Sequence, residues 1–426
     1  MTNLKGKRLL ILGATGFMCS AIETAREMGI YTIVTDYTPG AIAKQFADKS
    51  YDISTTDIDA LEQLARNERI DGVFTGFSDV NLYSARELCD RLGLPFYATK
   101  EQLDTTTNKL KFKELCRKHG VPTVKQYELD GRCLPEHLVK IQYPVIVKPA
   151  DSYASKGCSV CKNEEELCTA VRHALAFSKS GQFVVEKYMS RENSTDHHFD
   201  YLFVNGVPHL SFVSQRFTTT VVEGAAPFGT GIFTPVSYAE EYIRDVDSQA
   251  KQMFSSLNIK CGKLGIQACH DDEGFHFYEM AFRLGAMIHV PLREEYGLDL
   301  TAEMIRFALT GIWGVTLPIE SSCLPYYKHH YCELNVLLHS EGTISRIEGI
   351  ETACRDVRTV QLVELKRIGD TITLDGTQGQ ILCRMLLKEQ TREALEQAVS
   401  EIAGRIEAYD EHERPMVMRI YGCEGA

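Results

Sequence analysis

No apolar run in the 426 residues approaches the length needed to cross a bilayer, and Met1 to Lys7 leads into a strand with no signal-peptide pattern. A membrane partner is therefore not expected, and the expected location is cytoplasmic. Excess positive charge is also missing. Lys plus Arg is 46 against 58 for Asp plus Glu, a net charge of −12, which argues against a nucleic-acid surface. Nor is there a disulfide framework. The 14 cysteines read as small buried apolar residues or incidental thiols, and the lone C-x-x-C, Cys158 to Cys161, lacks a second pair or histidines at finger spacing. The doublets His197-His198 and His329-His330 are poor ligand pairs, because neighbours in a strand point to opposite faces. A full G-x-G-x-x-G is absent too: from Gly13 the template wants glycine where Thr15 and Met18 stand. Asp36, at the end of the next strand, keeps a dinucleotide reading in view but does not favour it.

What is present is a stretch at residues 143–160, YPVIVKPADSYASKGCSV. A β-branched run ends on Lys148 and breaks into a loop of small residues before a second strand. A lysine at a buried strand end can meet a phosphate oxygen, and a small-residue loop lets backbone N–H groups close over a phosphate chain. A solvated hairpin turn is the competing reading.

The chain around this stretch alternates strand and helix over its first hundred residues: strands at 8–12, 31–35, 51–53 and 72–74, helices at 20–28, 58–66 and 82–92. That is a parallel α/β pattern. A helix at 108–119 follows, then the Lys148 strand, a helix at 164–177 and the strand-to-linker string 183–189. Backbone groups at such a junction can bind the edge of an adenine. Further on come a hairpin turned at Asn205-Gly206, a long loop at 218–231 and a helix at 240–257. A second hairpin, 264–269 with 275–280, carries Gln267 and Glu279. With the turn centred near residues 272–273 they come nearly opposite each other. Two oxygens there suit either a hard cation such as Mg²⁺ or a solvated surface pair. Arg216 follows the first hairpin, where it can grip a carboxylate or phosphate or simply lie on the surface. From about Ser322 strands at 331–339, 343–347 and 381–387, a helix at 391–408 and a last strand at 416–420 make an α+β region.

In this order and spacing the segments resemble the ATP-grasp superfamily, most closely the branch with biotin carboxylase, the carbamoyl-phosphate synthetase large subunit and bacterial L-amino-acid ligases. The resemblance spans about residues 5–310. It implies an α/β and α+β multidomain fold: an N-terminal Rossmann-like pre-ATP-grasp domain (1–105), a central ATP-grasp domain (106–320) and a C-terminal α+β lid (321–426). It implies ATP-phosphate contacts from Lys109, eleven residues before Gly120-Val-Pro, and from Lys148. A phosphate-covering loop would include Ser152, Ser155, Lys156 and Gly157, and Glu186, Lys187, Tyr188 and Met189 would form the adenine hinge. Gln267 and Glu279 would hold Mg²⁺, with Mn²⁺ as a substitute. Glu279-Met-Ala-Phe-Arg283 matches the family's Glu-x-Asn-x-Arg signature except that the asparagine is Ala281, which removes an oxygen ligand.

The implied activity is an ATP- and Mg²⁺-dependent carboxylate–amine ligase working through an acyl phosphate, with ADP and phosphate as products and amino acids the first substrates to consider. Lys148, Arg216 and Arg283 would be its catalytic cations. Bicarbonate activation to carboxyphosphate is an alternative, and Ala281 motivates a third, a non-catalytic ATP-binding regulatory module. Small-molecule carboxylate and amine partners are implied, with a homodimer as the family's suggestion. The identity of the substrate pair is not legible in any motif.

Overall fold

Leucine- and β-branched runs bounded by turn residues set the strands. In the computed structural model, which describes residues 3–131, 133, 135–190, 192–316 and 324–419, the first four are β1 (Arg8–Leu12), β2 (Tyr31–Thr35), β3 (Lys49–Tyr51) and β4 (Gly72–Phe74). They pair in parallel in the order β3-β2-β1-β4. Strands buried on both faces need helices on both sides, and Phe17–Glu27, Ile58–Glu68 and Asp79–Leu92 supply them.

The next four, β5 (Gln126–Tyr127), β6 (Val145–Pro149), β7 (Ser159–Cys161) and β8 (Phe183–Lys187), form an antiparallel sheet ordered β5-β8-β6-β7. Helix Glu164–Phe177 lays Leu167, Ala170, Val171 and Ala174 on it. The remaining long strands are β9 (Thr195–Val204), β10 (Val207–Thr219), β11 (Phe228–Thr234), β12 (Gly262–Asp271), β13 (Gly274–Ala281) and β14 (His330–Leu337). The C-terminal region adds β15 (Gly342–Glu348), β16 (Thr359–Glu364), β17 (Thr371–Ile372), β18 (Ile381–Glu389) and β19 (Glu407–Asp410). Eight strands form one sheet, β13-β12-β9-β10-β11-β14-β18-β16, and β17-β15-β19 a smaller one. The pairing of β11 with β14 carries the central sheet unbroken into the C-terminal region. The expected 320/321 boundary falls within residues 317–323, outside the described residues.

One core joins the three parts: Leu9, Ile11, Met18 and Ile22 pack with Met304 and Ile305 and with Val363 and Leu386. The turn after β1 lies under β16. A Cβ on Gly16 would stand 2.2 Å from the Glu364 carbonyl oxygen, so only glycine fits. Asp36 accepts hydrogen bonds from the Ala14 and Thr38 N–H groups. The turn that would cradle a dinucleotide is thus closed by protein.

Several expected elements change. The helix placed at 20–28 begins at Phe17, the one at 82–92 begins at Asp79, and the strand near 51–53 is Lys49–Tyr51. Helix Lys100–Thr107, not foreseen, starts with a Thr99/Gln102 capping box, a T-x-x-Q signal that stands in the sequence. Much of the 218–231 loop is strand, because β10 runs to Thr219 and β11 starts at Phe228. The 240–257 helix is two helices, Ala239–Asp245 and Asp247–Ser256, parted at Val246. The 391–408 helix stops at Ala403, where Ile406 turns the chain into β19. At 416–420 the chain makes isolated bridges at Pro415 and Val417 in place of a strand, and Ile420 lies outside the described residues. In the C-terminal misses and in the 218–231 loop, strand pairing takes over where the local pattern had been extended.

Candidate active site

The central sheet alternates along each strand, and register decides which side chains share a face. Gln267 stands opposite His198 on β9 and opposite Glu279 on β13; Arg216 stands opposite Asp196 and Ile232, and Ile232 opposite Glu333. Arg384 on β18 faces Asn335 on β14. One face therefore carries Asp196, His198, Asp200, Arg216, Gln267, Glu279, Glu333, Asn335 and Arg384. The other buries Phe199, Tyr201 and Ile266. The expected Gln267–Glu279 apposition is what the register produces.

Above the polar face lies the β6 sheet. Lys148, at the β6 end, places Nζ 2.7 Å from Glu186 Oε2 and 4.7 Å from the centroid of the Tyr278 ring. Lys113 places its own Nζ 2.7 Å from Glu186 Oε1. Burial works against the charge on Lys148, but the Glu186 carboxylate outweighs it and holds the ammonium above the usual lysine range. Burial likewise pushes Glu186 up, and the two lysines together bring it below the usual carboxylate range. Glu186 was expected in the adenine hinge. Its side chain is the buried counter-ion that aims Lys148, and its backbone lies in β8.

Lys109 follows Asn108, whose side chain caps the helix Lys109–Lys118. Its Nζ donates to the Ser152 carbonyl oxygen at 2.8 Å and stands 3.2 Å from Glu279 Oε1. Lys109, the 152–157 loop and Glu279 thus meet at one point. In the loop Ala154, Ser155 and Gly157 take positive φ values of 55°, 60° and 75°. A Cβ on Gly157 would come within 2.8 Å of Phe177 and Pro149, so glycine is needed there. Lys156 is exposed, free to swing toward an anion. At the end of β8, where the adenine hinge was expected, the Lys187 and Tyr188 N–H groups donate to the Lys125 and Pro144 carbonyls.

Arg216 is held on three sides. Its Nη1 donates to Asp196 Oδ2 at 3.0 Å, Gln267 Oε1 at 2.9 Å and the Tyr278 hydroxyl at 2.8 Å, and that hydroxyl donates to Asp196 Oδ1 at 2.9 Å. It is not the surface arginine of the competing reading. Burial opposes its charge, and Asp196 more than restores it. Arg283 forms a bidentate pair with Asp79, Nε to Oδ1 at 2.5 Å and Nη2 to Oδ2 at 2.7 Å, tying the end of β13 to the first residue of helix Asp79–Leu92.

Several charged residues here were not singled out from sequence. Lys113 lies one helical turn after Lys109, a readable i,i+4 pair. Asp200 accepts from Lys263 Nζ at 2.6 Å and sits 2.7 Å from His198 Nε2. These two partners hold its carboxyl below the usual range against the upward push of burial. A Cβ on Gly265 would meet His198 Cε1 at 2.9 Å. Arg384 donates to Asn335 Oδ1 at 2.6 Å and Glu333 Oε1 at 2.9 Å. Burial, with Arg283 and Arg216 nearby, lowers it from the ordinary arginine value despite Glu333. Besides Lys113, only β9 carried a signal, Asp196, His198 and Asp200 at period two.

For a divalent cation the fit is partial. Glu279 offers a half-exposed carboxylate and Gln267 an amide oxygen already bonded to Arg216, while Ala281 offers nothing. Among the described residues no three His, Cys, Asp or Glu group as a metal cage, and no helix is long and apolar enough to cross a membrane. The described cysteines are free thiols; Cys261 is buried, which pushes it up to about 12. His197 and His198 do point to opposite faces, His197 into rings of Tyr238 and Phe275.

Residues 108–198 match the family described as the carbamoyl-phosphate synthase L chain, ATP binding domain. That stretch contains Lys109, Lys148, the loop and the hinge. The chain is 25% identical over 353 residues to the methylcrotonoyl-CoA carboxylase subunit alpha of Rattus norvegicus, covering 76% of this chain and 46% of that one. It is 24% identical over 294 residues to the multifunctional protein pyrABCN of Emericella nidulans, 68% of this chain and 13% of that one. It thus spans less than half the length of these relatives. Among solved structures, the L-amino acid ligase from Bacillus licheniformis superposes with a TM-score of 0.74 at 18% identity, covering 96% of this chain and 99% of that one. The biotin carboxylase domain of the Hydrogenobacter thermophilus 2-oxoglutarate carboxylase, solved as a dimer with MgADP and bicarbonate, gives 0.77 at 18% identity, with 97% and 91% covered. At that identity the likeness is one of fold.

Proposed function

From the premise that this chain is an ATP-grasp protein matching the ATP-binding domain of carbamoyl-phosphate synthase L chains over residues 108–198, we propose that it is an ATP-dependent ligase. It joins a carboxylate to an amine through an acyl phosphate, with amino acids as the leading substrate class. The observation that carries this is the meeting of Lys109, the 152–157 loop and Glu279 at one point, with Lys148 near enough to Glu279 to feel its charge. Such an array suits the phosphate tail of a nucleoside triphosphate.

Joining a carboxylate to an amine at neutral pH requires a leaving group on the acyl carbon. A carboxylate oxygen bonds to the γ-phosphorus and the bond to the ADP oxygen breaks. The amine nitrogen then bonds to the acyl carbon, phosphate departs with the former carboxylate oxygen, and the amine proton passes to solvent. Lys109 and Lys148 offset charge on the transferring group, and Arg283 and Arg216 lie where oxyanion charge develops. Ser152, Ser155, Lys156 and Gly157 close over the phosphates. Adenine lies against the hinge, with Glu186 backbone, Lys187, Tyr188 and Met189 at its edge. Glu279 would hold Mg²⁺, or Mn²⁺ in its place, and the ion would supply charge neutralisation across the phosphates. We assign residues 1–105, 106–320 and 321–426 to a first α/β part, the nucleotide part and a water-excluding lid. A homodimer finds support in the dimeric neighbour.

Carboxylase relatives favour a second reading, in which bicarbonate is the carboxylate and carboxyphosphate the intermediate. The experiment incubates the chain with ATP and Mg²⁺, adding pooled amino acids, amino acids plus hydroxylamine, or bicarbonate. ADP that depends on amino acids, with a trapped hydroxamate, is expected. Bicarbonate-only dependence selects the second reading. AMP as product overturns the mechanism, and nucleotide binding without turnover of any pool selects the regulatory module.

A further inference from the structure

The register puts Gln267, Glu279 and Ala281 on one face of the β12–β13 hairpin, the face that on the nucleotide reading would meet the cations of a bound triphosphate. Only Glu279 is anionic. Ala281 has no donor atom, and the Gln267 oxygen accepts from Arg216 Nη1 at 2.9 Å. That guanidinium is locked by Asp196 and Tyr278, so swinging away would leave the partly buried Asp196 carboxylate without its cation, a costly state. Mg²⁺ beside phosphates is held by one or two protein oxygens, so a second ion needs an oxygen beyond Glu279, and the hairpin has only that of Gln267, which Arg216 already occupies. A buried guanidinium carries part of the charge a second ion would bring, and it needs no recruitment from solvent.

We propose that the chain binds its nucleotide with a single divalent ion, held by Glu279, and that Arg216 is the built-in positive charge standing in for a second. Gln267 is then a positioning residue for Arg216 and not a metal ligand. This inference rests on the nucleotide reading above.

The test uses the full chain with a non-hydrolysable ATP analogue at saturation and counts bound Mn²⁺ by loss of its free electron-paramagnetic-resonance signal. One Mn²⁺ per chain is expected, rising to two in the double variant Gln267→Glu, Ala281→Asn, which restores the missing oxygens. Arg216→Met should keep one Mn²⁺ yet lower ADP release about 100-fold, with partial recovery in Arg216→Lys. Two Mn²⁺ per chain in the native protein would overturn the inference and leave the nucleotide reading standing. A double variant that stays at one ion, or an Arg216→Met chain with native turnover, also overturns it. Failure of the analogue to bind at all overturns the nucleotide reading and this inference with it.

Discussion

The two faces of strand β9 are made of alternate residues of one short segment, and they do opposite work. Toward the helices, Phe199 stacks on Tyr242 with ring centroids 3.7 Å apart, and Tyr201 bonds to Tyr242 and Asp247. Toward the candidate site, His198 and Asp200 are buried and Asp196 partly so, yet all three are charged or polar: Asp196 pairs with Arg216 on β10, and Asp200 with Lys263 on β12 and with His198 on its own strand. Burial stabilises the first set directly. It penalises the second, which persists because every carboxylate found a cation. Burial therefore means packing on one face and preorganised charge on the other.

The sharpest way to break the comparison is to cut each face once. Phe199→Ala should cost about 3–5 kcal/mol of stability, seen as a lower urea midpoint, while turnover per folded molecule holds. Lys148→Ala should do the reverse: about 3 kcal/mol of transition-state stabilisation lost, or roughly 100-fold in ADP release. Its unfolding midpoint stays close to native, since Glu186 keeps Lys113. Glu279→Ala should follow Lys148→Ala. Native rates in either variant would defeat the site assignment.

Acid sharpens it next, because one histidine sits on each side. Burial lowers His197, among the aromatic rings, and His289, near Lys263, to about 4. A histidine whose folded value is depressed binds its proton more readily when unfolded. Stability is therefore complete above the unfolded value near 6.5 and falls as pH drops toward the folded one. Between pH 6.5 and 5 each should cost about 2 kcal/mol. Urea titrations across that window should show the fall, and His197→Phe should make it smaller. The smallest effect belongs to neither face. Lys162, 3.9 Å from Glu223 with both side chains open to water, should change stability by less than about 0.5 kcal/mol when made alanine.

The aromatic face and the parallel strands were legible because their information is local. Strands Arg8–Leu12 and Tyr31–Thr35 and helix Glu164–Phe177 match the expected bounds residue for residue. Lys148 and its loop were readable for a similar reason, a buried run stopping abruptly on a cation. The partners of the site were not. Asp79 meets Arg283 across 204 residues, Glu333 meets Arg384 across 51, and Glu186 meets Lys148 across 38. A carboxylate in a sequence does not announce the cation it will neutralise, so Glu186 read as a hinge residue and Arg384 did not stand out.

By itself, then, the sequence determined most element types, the order of the segments that meet at the candidate site and the two-residue alternation that gives the sheet its two chemistries. These depend on neighbours within a few positions, where backbone sterics and apolar period act. Only the tertiary structure decided that β11 pairs with β14 to make one sheet of eight strands, that the first glycine turn lies sealed beneath β16, and that Arg216 rests on Gln267. Those outcomes turn on register between distant strands, because a shift of one residue would send every one of these charges to the opposite face.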